Sequence, residues 1–418
     1  MELFLLFSIL ITLAAVFSYV NVRTFKLPSG VSFMLMGTLV SVVLIILGKI
    51  FPGFAEEQKA ELVKFDFSEF LLGIMLSFLL FAGSLHVKLQ ELKAAAKSIT
   101  VFAIFGTMTS TALVGFALYF LTGLLSYDVP LIYCLLFGAL ISPTDPIAVM
   151  SILSKSKLPK NIQTNIIGES LFNDGIGVVI FTVILDIQVS GIEHVTIWNV
   201  LQLFTQEAIG GVIMGAIIGY IGYKMMKAID HFQTEILISL AMVMGGYSLC
   251  HMIHVSGPLA MVVAGLITGN QARARAMSDV TRDYLEKFWE VLDEILNGLL
   301  FMLVGLEIMV IDFEWQYGLL GLAATIIVLA SRYISLWVPV QLFFLKKDFR
   351  TDSLKIMTWG GLRGGISIAL ALSLPSGEGG FKELFISVTF VIVLVSILFQ
   401  GLTIGPLISR ITAKNTKL

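Results

Sequence analysis

The sequence predicts an all-α polytopic membrane protein with thirteen transmembrane helices, and three observations predict it. Of 418 residues, 57% are hydrophobic and only 13% charged, whereas a soluble domain carries roughly 25% charged residues. The apolar residues gather in runs of about 20, the length at which a helix crosses the hydrocarbon core. Lipid offers no partner to a backbone polar group, so runs of this length are helices. Third, the basic residues alternate from one connection to the next, as they do when successive connections lie on opposite sides of a membrane.

The apolar runs, numbered here as segments 1 to 13, fall at 2–22, 30–50, 67–86, 98–122, 130–153, 162–187, 202–225, 234–254, 256–269, 288–309, 317–345, 354–374 and 384–408. Segment 1 is long enough to span and has no basic leader, which argues against a cleavable signal peptide. Segment 9, SGPLAMVVAGLITG, is short for a crossing, so a re-entrant loop is the other reading. Charge favours a crossing. The odd connections and the tail hold 21 of the 27 Lys and Arg and the even connections hold 4, an alternation that a re-entrant segment 9 would break. The positive-inside rule then sets the C-terminus in the cytoplasm and the N-terminus outside. Stretch 271–290, QARARAMSDVTRDYLEKFWE, reads as an interfacial amphipathic helix leading into segment 10. Cys134 and Cys250 stand singly in apolar runs and read as packing residues, not as a disulfide or a metal site. The net charge of −2 says nothing about partners, and no nucleic-acid partner is expected.

Two segments are interrupted. Segment 5 contains SPTDP at 142–146, where Pro143 and Pro146 each remove a backbone donor. Its helix should stop near Ile141 and restart near Ile147. Segment 12 contains WGGLRGG at 359–365, and four glycines there weaken a helix by about 1 kcal/mol each. The breaks are seven segments apart. Matched interruptions in two halves of a chain are the sequence pointer to a transporter's binding site. Segments 1–6 and 8–13 would then be inverted repeats, joined by segment 7.

Two basic residues, Arg332 and Arg363, fall well inside segments, and the clearly intramembrane acids are Asp145, Glu169 and Asp174. A charge at mid-bilayer costs several kcal/mol, which makes each a functional or structural commitment. Glu207, Asp293, Glu294 and Glu307 lie nearer segment ends, where the side chain can turn to water. Asp145 opens the second half of segment 5, a positive helix N-terminus. Arg363 lies near the end of the first half of segment 12, a negative C-terminus. Both can therefore be compensating charges, and Asp145 with Thr144 can alternatively offer oxygens to a cation.

Segment 6 carries GESLFNDGIG at 168–177. At 100° per residue, Ser170 and Asp174 share one helix face and offer a hydroxyl and a carboxylate to one small site. Hard monovalent cations take such oxygen ligands. Glu169 points about 140° away by the same geometry, and Arg332 on segment 11 is its free basic partner, with a bidentate contact favoured. That pairing leaves Asp174 as the uncompensated carboxylate. A lone desolvated carboxylate is neutralised by a proton or by a cation. It cannot hold both, and this exclusion is the chemistry of one-for-one exchange. Asn173 can hydrogen-bond the crossing backbone. The competing interpretation of Asn173 and Asp174 is a satisfied polar network without transport.

The phrases SPTDPIAV, GESLFNDGIGVVIF, SGPLAMVVAGLITGN, ASRYISLWVP and WGGLRGGISIALAL, in this order, resemble the NhaP-type sodium/proton antiporters of the monovalent cation:proton antiporter superfamily, relatives of the animal sodium/proton exchangers. The resemblance covers nearly the whole chain. It implies an electroneutral sodium(lithium)/proton antiporter of the cell membrane, without cofactors, serving pH homeostasis as a homodimer. It implies one transporter domain over 1–418, with an ion-translocation core at 98–187 and 317–408, a dimerisation scaffold at 1–86 and 234–309, and 202–225 as the linking helix. It implies a site for Na+ at Thr144, Asp145, Ser170 and Asp174, a structural pair Glu169–Arg332, and support from Asn173 and Arg363. In one respect the chain departs. Several relatives carry an acid in segment 3 where this chain has Ala82 and Gly83, so a potassium/proton antiporter of the same fold is the nearest alternative. The long cytoplasmic tail of the animal exchangers is absent from the sequence, so regulation through it is not expected.

Other classes fit less well. A respiratory proton-pump subunit needs mid-segment lysines, and there are none. An intramembrane protease needs a nucleophile or zinc motif, and neither HExxH nor GxSxG occurs. A channel needs a filter repeated around an axis, not two breaks in one chain. His86, His194, His231, His251 and His254 lie at segment ends or connections and read as interfacial side chains.

Overall fold

The computed structural model describes residues 2–50, 67–145, 158–190, 196–273, 276–309, 315–343, 349, 351–375 and 381–415. Among these residues the chain is helical throughout and contains no strand. Each of the thirteen apolar segments contains helix. By length and composition eight helices could cross a membrane. The other segments fall short for local reasons. Segments 5 and 12 are interrupted, segments 3 and 9 are brief, and the helix of segment 10 begins in a charged stretch. The restart expected near Ile147, and His194, lie outside the described residues.

Segment 9 forms a helix at Gly257–Ile267, capped by Ser256, whose Oγ accepts from Leu259 N at 3.4 Å. A wider π-helical turn, Thr268–Ala272, extends it. Leu259, Ala260, Met261, Val262 and Ala264 are all fully buried. This short helix therefore meets protein, not lipid. Close approach is made possible by Gly265, where a Cβ would come 2.6 Å from Phe81 O on segment 3.

Segment 10 is one helix with the amphipathic stretch before it, Asp279–Leu306. Ser278 caps its start and Asp230 accepts from Ser278 Oγ at 2.8 Å and Thr281 Oγ1 at 3.0 Å. Its first half carries exposed charge, including the Arg282–Asp279 and Lys287–Asp283 pairs. From Asn297 to Leu306 it is wholly buried. It crosses segment 2, helix Ser29–Ile50, where Gly37 and Gly305 face each other and Ser41 Oγ donates to Gly305 O at 2.8 Å.

Two packed groups result. Segments 1, 2 and 10 pack together, segment 9 packs on 3, 7 and 8, and segment 10 touches 3 and 8. Segments 4, 5, 6, 11, 12 and 13 pack mainly on one another. Cys134 and Cys250 are buried free thiols in these cores.

Candidate functional site at two crossed helix breaks

The helix of segment 5, Leu131–Ile141, ends where Pro143 removes a donor. The helix Thr351–Trp359 of segment 12 ends at the glycines, and a second helix resumes at Gly365–Leu372. Beyond Ile141 and between the two helices of segment 12 the chain is non-helical, and these two stretches meet. Asp145 N donates to Leu362 O at 2.8 Å, an isolated antiparallel bridge. Each break therefore supplies a partner for a polar group the other would leave orphaned in the bundle interior.

Charge compensation runs across this crossing. The Arg363 guanidinium donates to Ser142 O and, at 2.8 Å, to Pro143 O. These carbonyls end the first half-helix of segment 5, and a cation is favoured there. The sequence placed Arg363 at the C-terminus of its own half-helix, and the structure corrects this to the other one. Asp145 in turn lies against Gly364, which precedes Gly365–Leu372, and a Cβ at Gly364 would overlap its carboxylate. Segment 13 braces the break. Ser396 Oγ accepts from Arg363 N at 2.9 Å and donates to Gln400 Oε1 at 2.7 Å, and Gln400 Nε2 donates to Trp359 O at 3.1 Å. The sequence reading passed over Ser396 and Gln400. Two polar residues four apart in an apolar run were the available signal.

Segment 6 is a single helix, Lys160–Ser190. Its Gly177 lies directly against the Pro143 ring, so the helix can pass close beside the first break. Glu169 Oε1 meets Arg332 Nη1 in a pair that is almost wholly buried. The bidentate fork expected from the sequence is not formed, because Glu169 Oε2 and Arg332 Nε have no hydrogen-bond partner among the described residues. The Arg332 guanidinium leans instead on Gly361, where a Cβ would lie 2.9 Å from Nε. Ser170 and Asn173 both reach Thr144. Thr144 Oγ1 is 3.0 Å from Ser170 Oγ and accepts from Asn173 Nδ2 at 2.9 Å. Thr144 N donates to Asn173 Oδ1 at 3.3 Å. Asn173 is thus the strut between segment 6 and the first break, with its whole amide engaged.

Asp174 differs. It is only 4% exposed, yet no described residue hydrogen-bonds or ion-pairs with its carboxylate. The charges acting on it are Asp145 and Arg363. It lines a cavity of about 200 Å³ together with Asp145, and His86, Asp293 and Glu294 line the same cavity. Gly83 also lines it, and a Cβ there would have only Leu171 Cδ1 nearby, at 4.0 Å. Ala82 is buried elsewhere in the segment 3 packing. Asp293 and Glu294, read from sequence as end-of-segment side chains, also line this cavity; Glu294 is exposed as that reading expects, and Asp293 is half-buried. Among the described residues no group of three or more His, Cys, Asp or Glu could hold a resident metal ion.

Crossed helix breaks beside a buried, unpaired carboxylate in a cavity define a secondary transporter. Similarity to known proteins narrows the class. Residues 9–410 match the family described as sodium/hydrogen exchanger, transmembrane. The chain is 45% identical over 408 residues to the Na+/H+ antiporter NhaP of Pseudomonas aeruginosa, covering 96% of each sequence. It is 32% identical over 413 residues to the Na+/H+ antiporter NhaH of Halobacillus aidingensis, covering 98% of this chain and 97% of that one. The fold matches the sodium proton antiporter MjNhaP1 of Methanocaldococcus jannaschii at pH 8, with a TM-score of 0.77 and 20% identity, covering 98% of this chain and 99% of that one. The chain belongs to the sodium/hydrogen exchanger family, a multi-span family of transporters.

Proposed function

We propose that the chain is an electroneutral sodium(lithium)/proton antiporter of the cell membrane, exchanging one cation for one proton at Asp174. The observation that carries this reading is the Asp174 carboxylate, buried, facing a cavity and unpaired among the described residues. A buried carboxylate costs several kcal/mol when left charged and alone. Either a proton or a sodium ion relieves that cost, and the two compete. Both loaded states carry the same net charge, so a full cycle moves none.

Ser170 and Thr144 supply hydroxyl oxygens near this carboxylate, and Asp145 supplies a second carboxylate at the crossing. Sodium is the cargo and binds transiently. Asn173 has no ionisable proton and holds Thr144 in position. Glu169 with Arg332, and Arg363 on the Ser142 and Pro143 carbonyls, fix the surrounding helices. Supporting a moving core over 98–187 and 317–408, these segments pack mainly with each other. The scaffold over 1–86 and 234–309, with 202–225 linking, would form the homodimer contact. The basic alternation supports thirteen crossings with the C-terminus in the cytoplasm, so the cavity opens to the cytoplasmic side.

One observation favours a potassium/proton antiporter as the second reading: the open space beside Gly83 leaves room for a larger or more hydrated ion. Transport in proteoliposomes driven by sodium, lithium or potassium gradients, with membrane voltage clamped, tests both. Sodium and lithium should drive proton movement at rates independent of voltage. Exchange driven by potassium alone, or a rate that follows voltage, would overturn the first reading.

A further inference from the structure

Asn173 and Thr144 are joined twice, from Asn173 Nδ2 to Thr144 Oγ1 at 2.9 Å and from Thr144 N to Asn173 Oδ1 at 3.3 Å. Each is followed directly by a carboxylate of the cavity, Asp174 after Asn173 and Asp145 after Thr144. The two bonds therefore set the spacing of the backbones that carry those carboxylates. How firmly that spacing is kept depends on what holds Thr144 from its other side.

Thr144 is fully buried. Its hydroxyl meets segment 6, at Ser170 and Asn173. Its methyl group meets segment 12 at Gly361, where a Cβ would come 3.1 Å from Thr144 Cγ2. A β-branched side chain is stiff at χ1, so seating the methyl group also aims the hydroxyl. The same Cβ would come 2.9 Å from Arg332 Nε and 3.4 Å from Arg332 Nη2. That guanidinium is paired with Glu169 in a buried contact, and swinging clear would break the pair. One residue beyond Gly361, Leu362 O accepts from Asp145 N at 2.8 Å. The space over Gly361 is thus shared by the Thr144 methyl group and the Arg332 guanidinium, and Gly361 itself is not among the residues that line the cavity. Oxygen-ligand sites discriminate between cations by cavity size, ligand number and flexibility, and spacing can be controlled from behind the ligands.

We propose that Gly361 is a specificity-determining position: its missing side chain seats the Thr144 methyl group, and this seat fixes the spacing of Asp145 and Asp174 that selects among monovalent cations. The proposal rests on the antiport reading above. Gly361 is a positioning residue that acts through Thr144 and touches neither the cation nor the proton.

The test is exchange in proteoliposomes driven by lithium or by sodium, with a melting curve for each variant. Gly361→Ala should displace Thr144 by a few tenths of an ångström. A misplacement of about 1 Å costs about 100-fold, so the lithium-to-sodium KM ratio should change about threefold or more. The variant also crowds Arg332, and a lowered melting temperature reports that second contact. Thr144→Ser keeps the hydroxyl and removes the methyl group. In a Thr144→Ser background, adding Gly361→Ala should leave the ratio where Thr144→Ser alone has it, while the melting temperature still falls. This double-mutant cycle isolates the route through the methyl group. An equal ratio shift in both backgrounds overturns the proposal, and so does a parent ratio in folded Gly361→Ala.

If Gly361→Ala does not fold, Thr144→Ser alone carries the test. With the seat empty the hydroxyl turns more freely, and the lithium-to-sodium ratio should change about threefold or more for the same reason. A parent ratio in that variant overturns the proposal. Asp174→Asn separates the two ideas. If it still exchanges, the antiport site is wrong. If it is inactive while Gly361→Ala keeps the parent ratio, only the seat is wrong.

Discussion

Glu169 and Asp174 lie five residues apart on one helix and have opposite surroundings. Glu169 is held by Arg332, and with both groups buried, removing one leaves an uncompensated charge worth about 3–5 kcal/mol. Glu169→Gln or Arg332→Ala should therefore lower the melting temperature of the purified protein by several degrees. The double variant Glu169→Gln/Arg332→Gln should recover part of the loss, since neither charge is then orphaned. Melting curves that coincide with the parent would remove the pair from the structural account. Asp174 has no such partner among the described residues, so its charge has no structural use there. Asp174→Asn should abolish sodium-driven proton movement while expression and melting temperature stay near the parent values. Activity of that variant in a pH-dye assay would contradict the assignment.

At the scale of the element, neither broken helix is complete alone. The segment 5 break leaves carbonyls that Arg363 of segment 12 satisfies, and Asp145 of segment 5 lies at the start of the second half of segment 12. Gly364 makes that approach possible. Gly364→Ala should push the Asp145 carboxylate aside and cut transport about tenfold or more, because misplacement of about 1 Å at a reacting group has effects of that order. Ser396→Ala removes the acceptor for Arg363 N, a buried hydrogen bond worth about 1 kcal/mol or more once its donor is orphaned. It should lower stability with a smaller effect on transport. A Gly364→Ala variant with the parent rate would mean that Asp145 has room to move. The segment 9 helix makes a related point: it is short because it is enclosed by protein.

For the whole molecule, the packing divides into two groups with the cavity between them. Gly83 of segment 3 and Leu171 of segment 6 both line it and lie close together, a Cβ at Gly83 being 4.0 Å from Leu171 Cδ1. If exchange needs the groups to move, Gly83→Cys/Leu171→Cys joined by a short bifunctional thiol reagent should stop transport, and a cleavable reagent should allow recovery. Continued exchange in the cross-linked protein would rule out motion at this contact.

Composition and run length were enough for an all-helical membrane fold, because the bilayer accepts few alternatives. The breaks were legible too, since proline and clustered glycine act locally on the backbone. So was the pairing of Glu169 with Arg332, as few charges lie within the segments. The sequence could not say which half-helix Arg363 would serve, nor that Ser396 and Gln400 brace the break. It could not turn Asp293 from a surface side chain into a cavity wall. These depend on which helices become neighbours, and hydrogen bonds and cavities between distant segments leave no periodic trace in either one. Tertiary packing alone brought Asp145 to Leu362 and left Asp174 facing open space.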